Sequence, residues 1–224
     1  MSRPRDYLEE PGLILHAYNR GVDGRRLFPS PRGYEMFMQK LFEARERTNV
    51  SILLHTLMPT HFHLMLQQHE PFAISKFMQR VCCSFSHWTN KRLKRTGPLY
   101  DSPYGGTPVP DPKAFLHISN YILKNPAQAG LVRDPEQWRY SSCEALLRGS
   151  NGDFEDHSLI LGLVGGTERL AVFLEKYNSA DPMSIGEYLC PDYDKTWEIR
   201  TSGEYLRYEQ EELRKKGSTR DKRG

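Results

Sequence analysis

The chain has 224 residues with a net charge of +3 and an apolar content of 38%, enough for one well-buried core with an appendage. No apolar run approaches the roughly 18 residues that span a bilayer. The first residues carry acids instead of an apolar signal segment, and the four cysteines form no CxxC pair. These features argue against a membrane helix, a secretory signal and a disulfide framework, so we expect a cytoplasmic protein that is not attached to a membrane.

Charge is distributed unevenly along the chain. Residues 1–150 hold 20 Lys and Arg against 13 Asp and Glu, which leaves 11 against 15 for residues 151–224. We therefore expect residues 1–150 to form the functional domain and to face an anion, with residues 151–224 as a mainly helical, acidic-then-basic tail. Taken alone, a basic run is more often a solvated helix end than a nucleic-acid site. The basic candidates are a cluster of Lys91, Arg92, Lys94 and Arg95, and, upstream of it, Arg20 and Arg25.

Apolar spacing predicts an ordered series of elements. A strand that ends near Gly21 is followed by an amphipathic helix, a hairpin, a long helix, a short edge strand and a further helix that Pro126 halts. This order is that of the ferredoxin-like arrangement, so we predict an α+β fold with an antiparallel sheet and helices on one face. The predicted ranges are 12–21, 33–47, 50–58, 61–68, 73–94, 104–109 and 113–125, with a further helix at 168–177.

The second hairpin strand begins with two histidines on either side of Phe62. Because side chains alternate along a strand, His61 and His63 point to one face while Phe62 points to the core. Two imidazoles placed in this way can bind one metal ion. Polar residues on a half-exposed strand are an equally good explanation, since short His-x-His patterns occur by chance.

The helix predicted at 113–125 carries His117, Tyr121 and Asn125 at intervals of four, so they stack along one helical face. Taken by itself, such a stripe is more often a wetted helix face with a half-buried tyrosine. As part of a site with the two histidines, it offers a third metal ligand and a phenol.

The motifs together resemble a known family. The segment "MPTHFHLML" resembles the His-hydrophobic-His motif of single-tyrosine HUH transposases, and "YILKNPAQAGLV" is similar to the tyrosine helix of the REP-associated tyrosine transposases. "NRGVDGRRLF", "NKRLKRTGPLY" and "EQWRYSS" add further matches, and the similarity covers about residues 11–148. The resemblance implies a ferredoxin-like sheet and a bacterial, nucleoid-associated enzyme. Such an enzyme cuts one DNA strand beside a hairpin, forms a 5′-phosphotyrosine link and rejoins the strand to a new 3′ end.

The resemblance also implies roles for particular residues. Tyr121 would be the nucleophile, with His61, His63 and Asn125 as ligands of Mg²⁺ or Mn²⁺. His117 competes with Asn125 as a ligand from the same helix face, and we prefer Asn125. Thr60 stands where the family usually has Asn, and the stretch "YDSPYGGTPVP" lacks a common Arg-Phe-Lys-like sequence.

The implied partner is single-stranded or hairpin DNA of the REP palindrome type, bound by a monomer or a homodimer. The basic residues around Lys91 would then contact phosphates and set affinity more than sequence. Two alternatives stay open, a non-catalytic hairpin-binding protein derived from such an enzyme and a metal-dependent hydrolase of a small substrate. As a further hypothesis, the tail packs on the catalytic domain and lowers its activity.

Overall fold

The computed structural model describes residues 6–152, 154–177 and 182–201, which form four strands and seven α-helices. The predicted elements of the first 130 residues are all present, with small shifts at their ends. The strands are β1 (Ile14–Arg20), β2 (Val50–Leu57), β3 (His61–Gln68) and β4 (Gly105–Pro108). The helices are α1 (Pro31–Arg45), α2 (Ala73–Arg92), α3 (Pro112–Gln128), α4 (Cys143–Leu147), α5 (Ser158–Val164), α6 (Thr167–Lys176) and α7 (Tyr193–Thr201).

The four strands form one antiparallel sheet in the order β2, β3, β1, β4. With α1 after β1 and α2 after β3, this is the ferredoxin-like order, and the predicted α+β fold class is confirmed. The edge strand β4 lies close to β1 because it begins with two glycines. A Cβ atom at Gly105 would lie 2.4 Å from a ring carbon of Tyr18.

Different helices cover the two faces of the sheet. On one face Leu15 and Phe62 are fully buried beneath α1 and α2. On the other face Ile14 and Met65 pack with α3 and with helices that follow it. We had predicted helices on one face only; α3 lies on the opposite face because its apolar residues, Phe115 among them, bury that part of the sheet. One end of this second face, where β3 begins, lines a pocket.

Helix α3 continues past Pro126, the residue at which the sequence predicts its end. Proline removes one helical hydrogen bond, but Pro126 stands only two residues before the last helical residue. The amide of Ala129 still donates to the carbonyl of Asn125 at 3.0 Å, and the amide of Leu131 donates to the carbonyl of Pro126 at 3.0 Å. Asn125 is therefore held inside a helix, in a fixed position relative to Tyr121.

The described residues beyond residue 150 pack against the rest of the protein through apolar side chains. The helix predicted at 168–177 is α6, whereas α4, α5 and α7 were not predicted. Leu159, Leu163 and Phe173 are buried with Phe115 and Leu116 of α3 in a second hydrophobic core. The polar, charged last dozen residues of the tail lie outside the described residues.

The outer edge of β2 is hydrogen-bonded to two downstream segments. The amide of Leu57 donates to the carbonyl of Tyr140 at 2.9 Å, and the amide of Ser142 donates to the carbonyl of His55 at 3.0 Å. Further along the strand, the amide of Asp156 donates to a β2 carbonyl at 2.9 Å. These bonds satisfy backbone groups that an edge strand otherwise leaves unpaired.

Glu155 fixes one of these segments from inside the protein. It is 7% exposed, and its carboxylate lies 2.7 Å from His55 Nδ1 and 3.4 Å from His157 Nε2. Burial alone would raise the pKa of Glu155, but the charges and hydrogen bonds of the two histidines outweigh burial and lower it. Burial likewise would lower the pKa of His157, but Glu155 outweighs burial and raises it.

Among the described residues, no helix is long and apolar enough to cross a membrane. All four cysteines are free, as expected for a chain without a disulfide framework.

Candidate functional site

A pocket of about 660 Å³ opens at one end of the sheet. Its walls come from the end of β1, the start of β3, the start of β4 and the middle of α3. These four elements are distant in sequence, and the sheet order brings their ends together. The lining residues are Tyr18, Asn19, Arg20, Gly24, Thr60, His61, Phe62, His63, Ser102, Gly105 and Tyr121.

His61 and His63 share the pocket face of β3, while Phe62 between them is fully buried in the core. The ring centroids of the two histidines lie 5.0 Å apart and the rings are nearly perpendicular. His63 is 6% exposed, and His61 is partly exposed. The strand alternation inferred from sequence therefore places both imidazoles at the pocket.

The Nδ1 atom of each histidine is hydrogen-bonded to a neighbouring side chain. Nδ1 of His63 lies 2.9 Å from Nε2 of His16, and Nδ1 of His61 lies 3.0 Å from the hydroxyl of Thr60. Nε2 of His63 is buried and has no hydrogen-bond partner among the described residues. A buried nitrogen of this kind normally has a partner, so its orphaned state fits a ligand atom.

Burial keeps these imidazoles neutral near pH 7. It lowers the pKa of His63 to about 3, with smaller contributions from His16 and His61, and it lowers the pKa of His16 to about 4. It also lowers the pKa of His61, against a smaller opposing effect of the hydrogen bond with Asn125. Neutral imidazoles are the form that binds metal ions.

Asn125, on α3, is the third candidate ligand beside the two histidines of β3. Its side chain hydrogen-bonds to His61, so α3 brings a third candidate ligand beside the first of the two histidines. No group of three His, Cys, Asp or Glu side chains in the described ranges is arranged to hold a metal ion. A metal at this pocket would thus need the amide oxygen of Asn125 beside the two imidazoles, a donor set that suits Mn²⁺ and, with water and phosphate, Mg²⁺.

Tyr121 lies one turn before Asn125 on the same helix face and borders the pocket. Its ring centroid is 5.2 Å from that of His63 and 6.2 Å from that of His16, and in both pairs the rings meet edge to face. It is 41% exposed, although it is a large ring beside buried histidines. The phenol is therefore accessible to a substrate and adjacent to the candidate ligands within one chain.

His117, the competing ligand, is engaged elsewhere. Its Nδ1 atom is hydrogen-bonded to the hydroxyl of Tyr177 at 2.7 Å, and it lines a different pocket, beside the start of α3. This contact supports our preference for Asn125.

The basic candidates lie at different distances from the pocket. Arg20 lines it and pairs with Asp101 at 2.6 Å, while Arg25 lies in the loop after β1, 3.8 Å from Asp23.

The cluster predicted as phosphate contacts forms the end of α2 and the turn after it. The chain that follows the cluster runs beside the end of β1, where the amide of Asp101 donates to the carbonyl of Arg20. Lys91, Arg92 and Lys94 are exposed, and Arg95 is partly exposed.

Sequence reasoning missed His16 and Tyr18 as site residues. Both are on β1 and alternate toward the pocket face, and Tyr18 is paired in register with His63. Tyr18 is 40% exposed, with its ring centroid 6.3 Å from that of His63. The alternation of the first strand was a signal available in the sequence, but the register between β1 and β3 was not.

Comparison with known proteins supports the resemblance to a transposase family. Residues 25–125 match the family of IS200-like transposases, and the predicted resemblance to that family is confirmed over this segment. A solved structure described as a REP-associated tyrosine transposase bound to a REP hairpin is similar in fold, with a TM-score of 0.57 and 20% identity. The match covers 70% of this chain and 96% of that one. No curated protein matches.

Proposed function

We propose, from the match of residues 25–125 to the IS200-like transposases, that this protein is a metal-dependent endonuclease and strand transferase for single-stranded DNA. It would act at hairpins of the REP type through a 5′-phosphotyrosine intermediate. The observation that carries the proposal is the exposed phenol of Tyr121 beside His63, within one pocket that also holds His61.

The metal site of the proposed enzyme consists of His61, His63 and Asn125, and Mg²⁺ or Mn²⁺ is the expected ion. The orphaned Nε2 of His63 and the contact between Asn125 and His61 support this assignment. When bound, a divalent ion would polarise the phosphodiester and stabilise negative charge that develops during attack.

Tyr121 supplies the nucleophile in this proposal. Its phenolic oxygen forms a bond to phosphorus while the bond between phosphorus and the 3′ oxygen breaks. The phenol loses its proton, and the departing 3′ oxygen gains one. The new phosphotyrosine link retains a phosphodiester, so a second 3′ hydroxyl can reverse the reaction and rejoin the strand without ATP.

In this proposal, DNA binds to basic residues at the pocket and at the end of α2. Arg20 at the pocket and the exposed basic residues at the end of α2 would contact phosphates, which positions DNA without reading its sequence. The exposed ring of Tyr18 is placed to stack on an unpaired base near the histidines. A protein with this role would work beside the chromosome.

The test is covalent capture of DNA. Purified protein is mixed with labelled single-stranded DNA that carries a hairpin, in Mn²⁺ or in EDTA, and separated on a denaturing gel. We expect a metal-dependent protein–DNA adduct that Tyr121→Phe abolishes and that Tyr193→Phe, a change on α7 outside the pocket, leaves intact. Hairpin binding without an adduct would instead favour the non-catalytic DNA-binding protein.

A further inference from the structure

His16 has no role in the function proposed above, yet its ring makes a direct contact with a candidate ligand. It lies on β1, is 8% exposed, and its Nε2 atom is 2.9 Å from Nδ1 of His63. The two ring centroids lie 5.1 Å apart with an interplanar angle of 30°. The side chain is thus packed and hydrogen-bonded in one orientation.

The hydrogen bond between the two rings can have either His16 or His63 as its donor. Only one of these two arrangements leaves Nε2 of His63 able to bind an ion. If His16 donated, His63 would carry its own proton on Nε2, a buried donor without an acceptor among the described residues. If His63 donates from Nδ1, its Nε2 holds a lone pair at the same position. A buried unsatisfied donor costs free energy, and a lone pair there is what a metal ion requires.

We propose that His16 is a positioning residue that accepts a hydrogen bond from Nδ1 of His63 and so holds the Nε2 lone pair of His63 toward the pocket. The inference deepens the proposed function and rests on its metal site. His16 itself touches neither the ion nor the DNA in this arrangement. Partners of this kind orient a ligand and fix its tautomer, and their loss typically weakens metal binding about 10- to 100-fold.

A parallel contact supports the assignment. His61 also has its Nδ1 atom occupied, by the hydroxyl of Thr60 at 3.0 Å. Both candidate ligands are therefore hydrogen-bonded through the same ring nitrogen, Nδ1.

The first experiment needs no metal. Long-range proton–nitrogen correlation spectra of the full chain with labelled histidine report which ring nitrogen of His63 carries the proton. We expect the proton on Nδ1 in the wild-type protein and a change toward a mixture of tautomers in His16→Leu. A wild-type His63 with its proton on Nε2 would overturn the proposal, whether or not the protein binds metal.

The second experiment measures Mn²⁺ affinity by calorimetry on the same variants. His16→Leu should weaken binding about 10-fold or more, while His16→Gln, whose side-chain oxygen can accept the same hydrogen bond, should retain most of the affinity. His69→Leu removes a buried histidine just beyond the other end of β3 and controls for lost packing. Equal losses in His16→Leu and His16→Gln would contradict the hydrogen bond.

Thermal unfolding of each variant distinguishes a misfolded protein from a weakened site. If wild-type protein bound no Mn²⁺, the metal-dependent function proposed above would fail, while the tautomer measurement would still decide the role of His16. If Mn²⁺ binds normally in folded His16→Leu, the inference about His16 fails and the proposed function stands.

Discussion

The Nδ1 atom of His117 and the hydroxyl of Tyr177 are hydrogen-bonded at 2.7 Å, which fastens the helix of Tyr121 to the chain after α6. The backbone carbonyl of the same tyrosine accepts a hydrogen bond from Lys124 Nζ at 3.2 Å. The two contacts on α3 fall on either side of Tyr121. The C-terminal region is therefore attached directly to the helix that carries the candidate nucleophile.

A double-mutant cycle tests this attachment. Tyr177→Phe and His117→Leu should each lower the free energy of unfolding by about 1 kcal/mol, because each removes one partner of the same hydrogen bond. The double variant should lose less than the sum of the two, as contacting residues do. Urea unfolding measures all three differences, and strict additivity would mean that the bond contributes nothing to stability.

Removal of the whole chain after Gly149 should prevent stable folding rather than release an active domain. The deletion uncovers apolar residues such as Phe115 and Leu116, and it removes the hydrogen bond between Asp156 and β2. We expect aggregated protein or loss of a cooperative unfolding transition. Truncation after Thr201 keeps every described contact and is the matched control. A soluble fragment 1–149 that unfolds cooperatively would contradict the prediction.

Activity should require Tyr121 and the histidines in the same chain. The ring centroids of Tyr121 and His63 lie 5.2 Å apart within one molecule. A mixture of Tyr121→Phe with His63→Ala should therefore form no covalent DNA adduct, since neither chain has a complete site. Adduct formation in the mixture but in neither variant alone would indicate a dimer that exchanges its tyrosine helices.

The free energy of unfolding should decrease as the pH falls below about 6.5, the ordinary pKa of histidine. Burial lowers the pKa of His69 from 6.5 to about 4, so the unfolded chain binds a proton there before the folded protein does. The contribution of neutral His69 to the free energy of unfolding is complete above pH 6.5 and is lost as the pH falls toward 4. The loss is at most about 1.4 kcal/mol per pH unit. Urea unfolding at pH 7 and pH 5 should give a smaller difference for His69→Gln than for wild type, while His87→Gln, at an exposed position, should match wild type.

Removal of the buried carboxylate of Glu155 should lower the free energy of unfolding far more than removal of an exposed carboxylate. Glu155→Ala leaves His55 and His157 without their common partner inside the protein, and breaking a buried pair costs about 3–5 kcal/mol. Glu144 forms an ion pair with Arg148 at 2.7 Å on the surface, and Glu144→Ala should cost less than about 1 kcal/mol. Comparable losses in the two variants, measured by denaturant unfolding, would count against the structural role of Glu155.

The sequence contained most of the local structure and part of the site. Periodicity placed the helices and strands because their apolar faces are local patterns, and alternation put His61 and His63 together beside Phe62. The contact between His16 and His63 depends on how β1 and β3 pair across 47 residues, which no local pattern specifies. The same holds for Glu155 and His55, which are 100 residues apart. The predicted end of α3 at Pro126 was wrong, because a proline near the end of a helix destabilises the helix less than a proline in its middle.

The covered edge of β2 has a consequence for how copies of the protein can meet. Downstream segments at Tyr140, Ser142 and Asp156 already use the backbone groups through which a foreign strand would add to the sheet. The opposite edge offers only the four residues of β4, which end in Pro108. A second copy therefore cannot extend the sheet through the β2 edge, and an association between two copies has to use other surfaces of the protein.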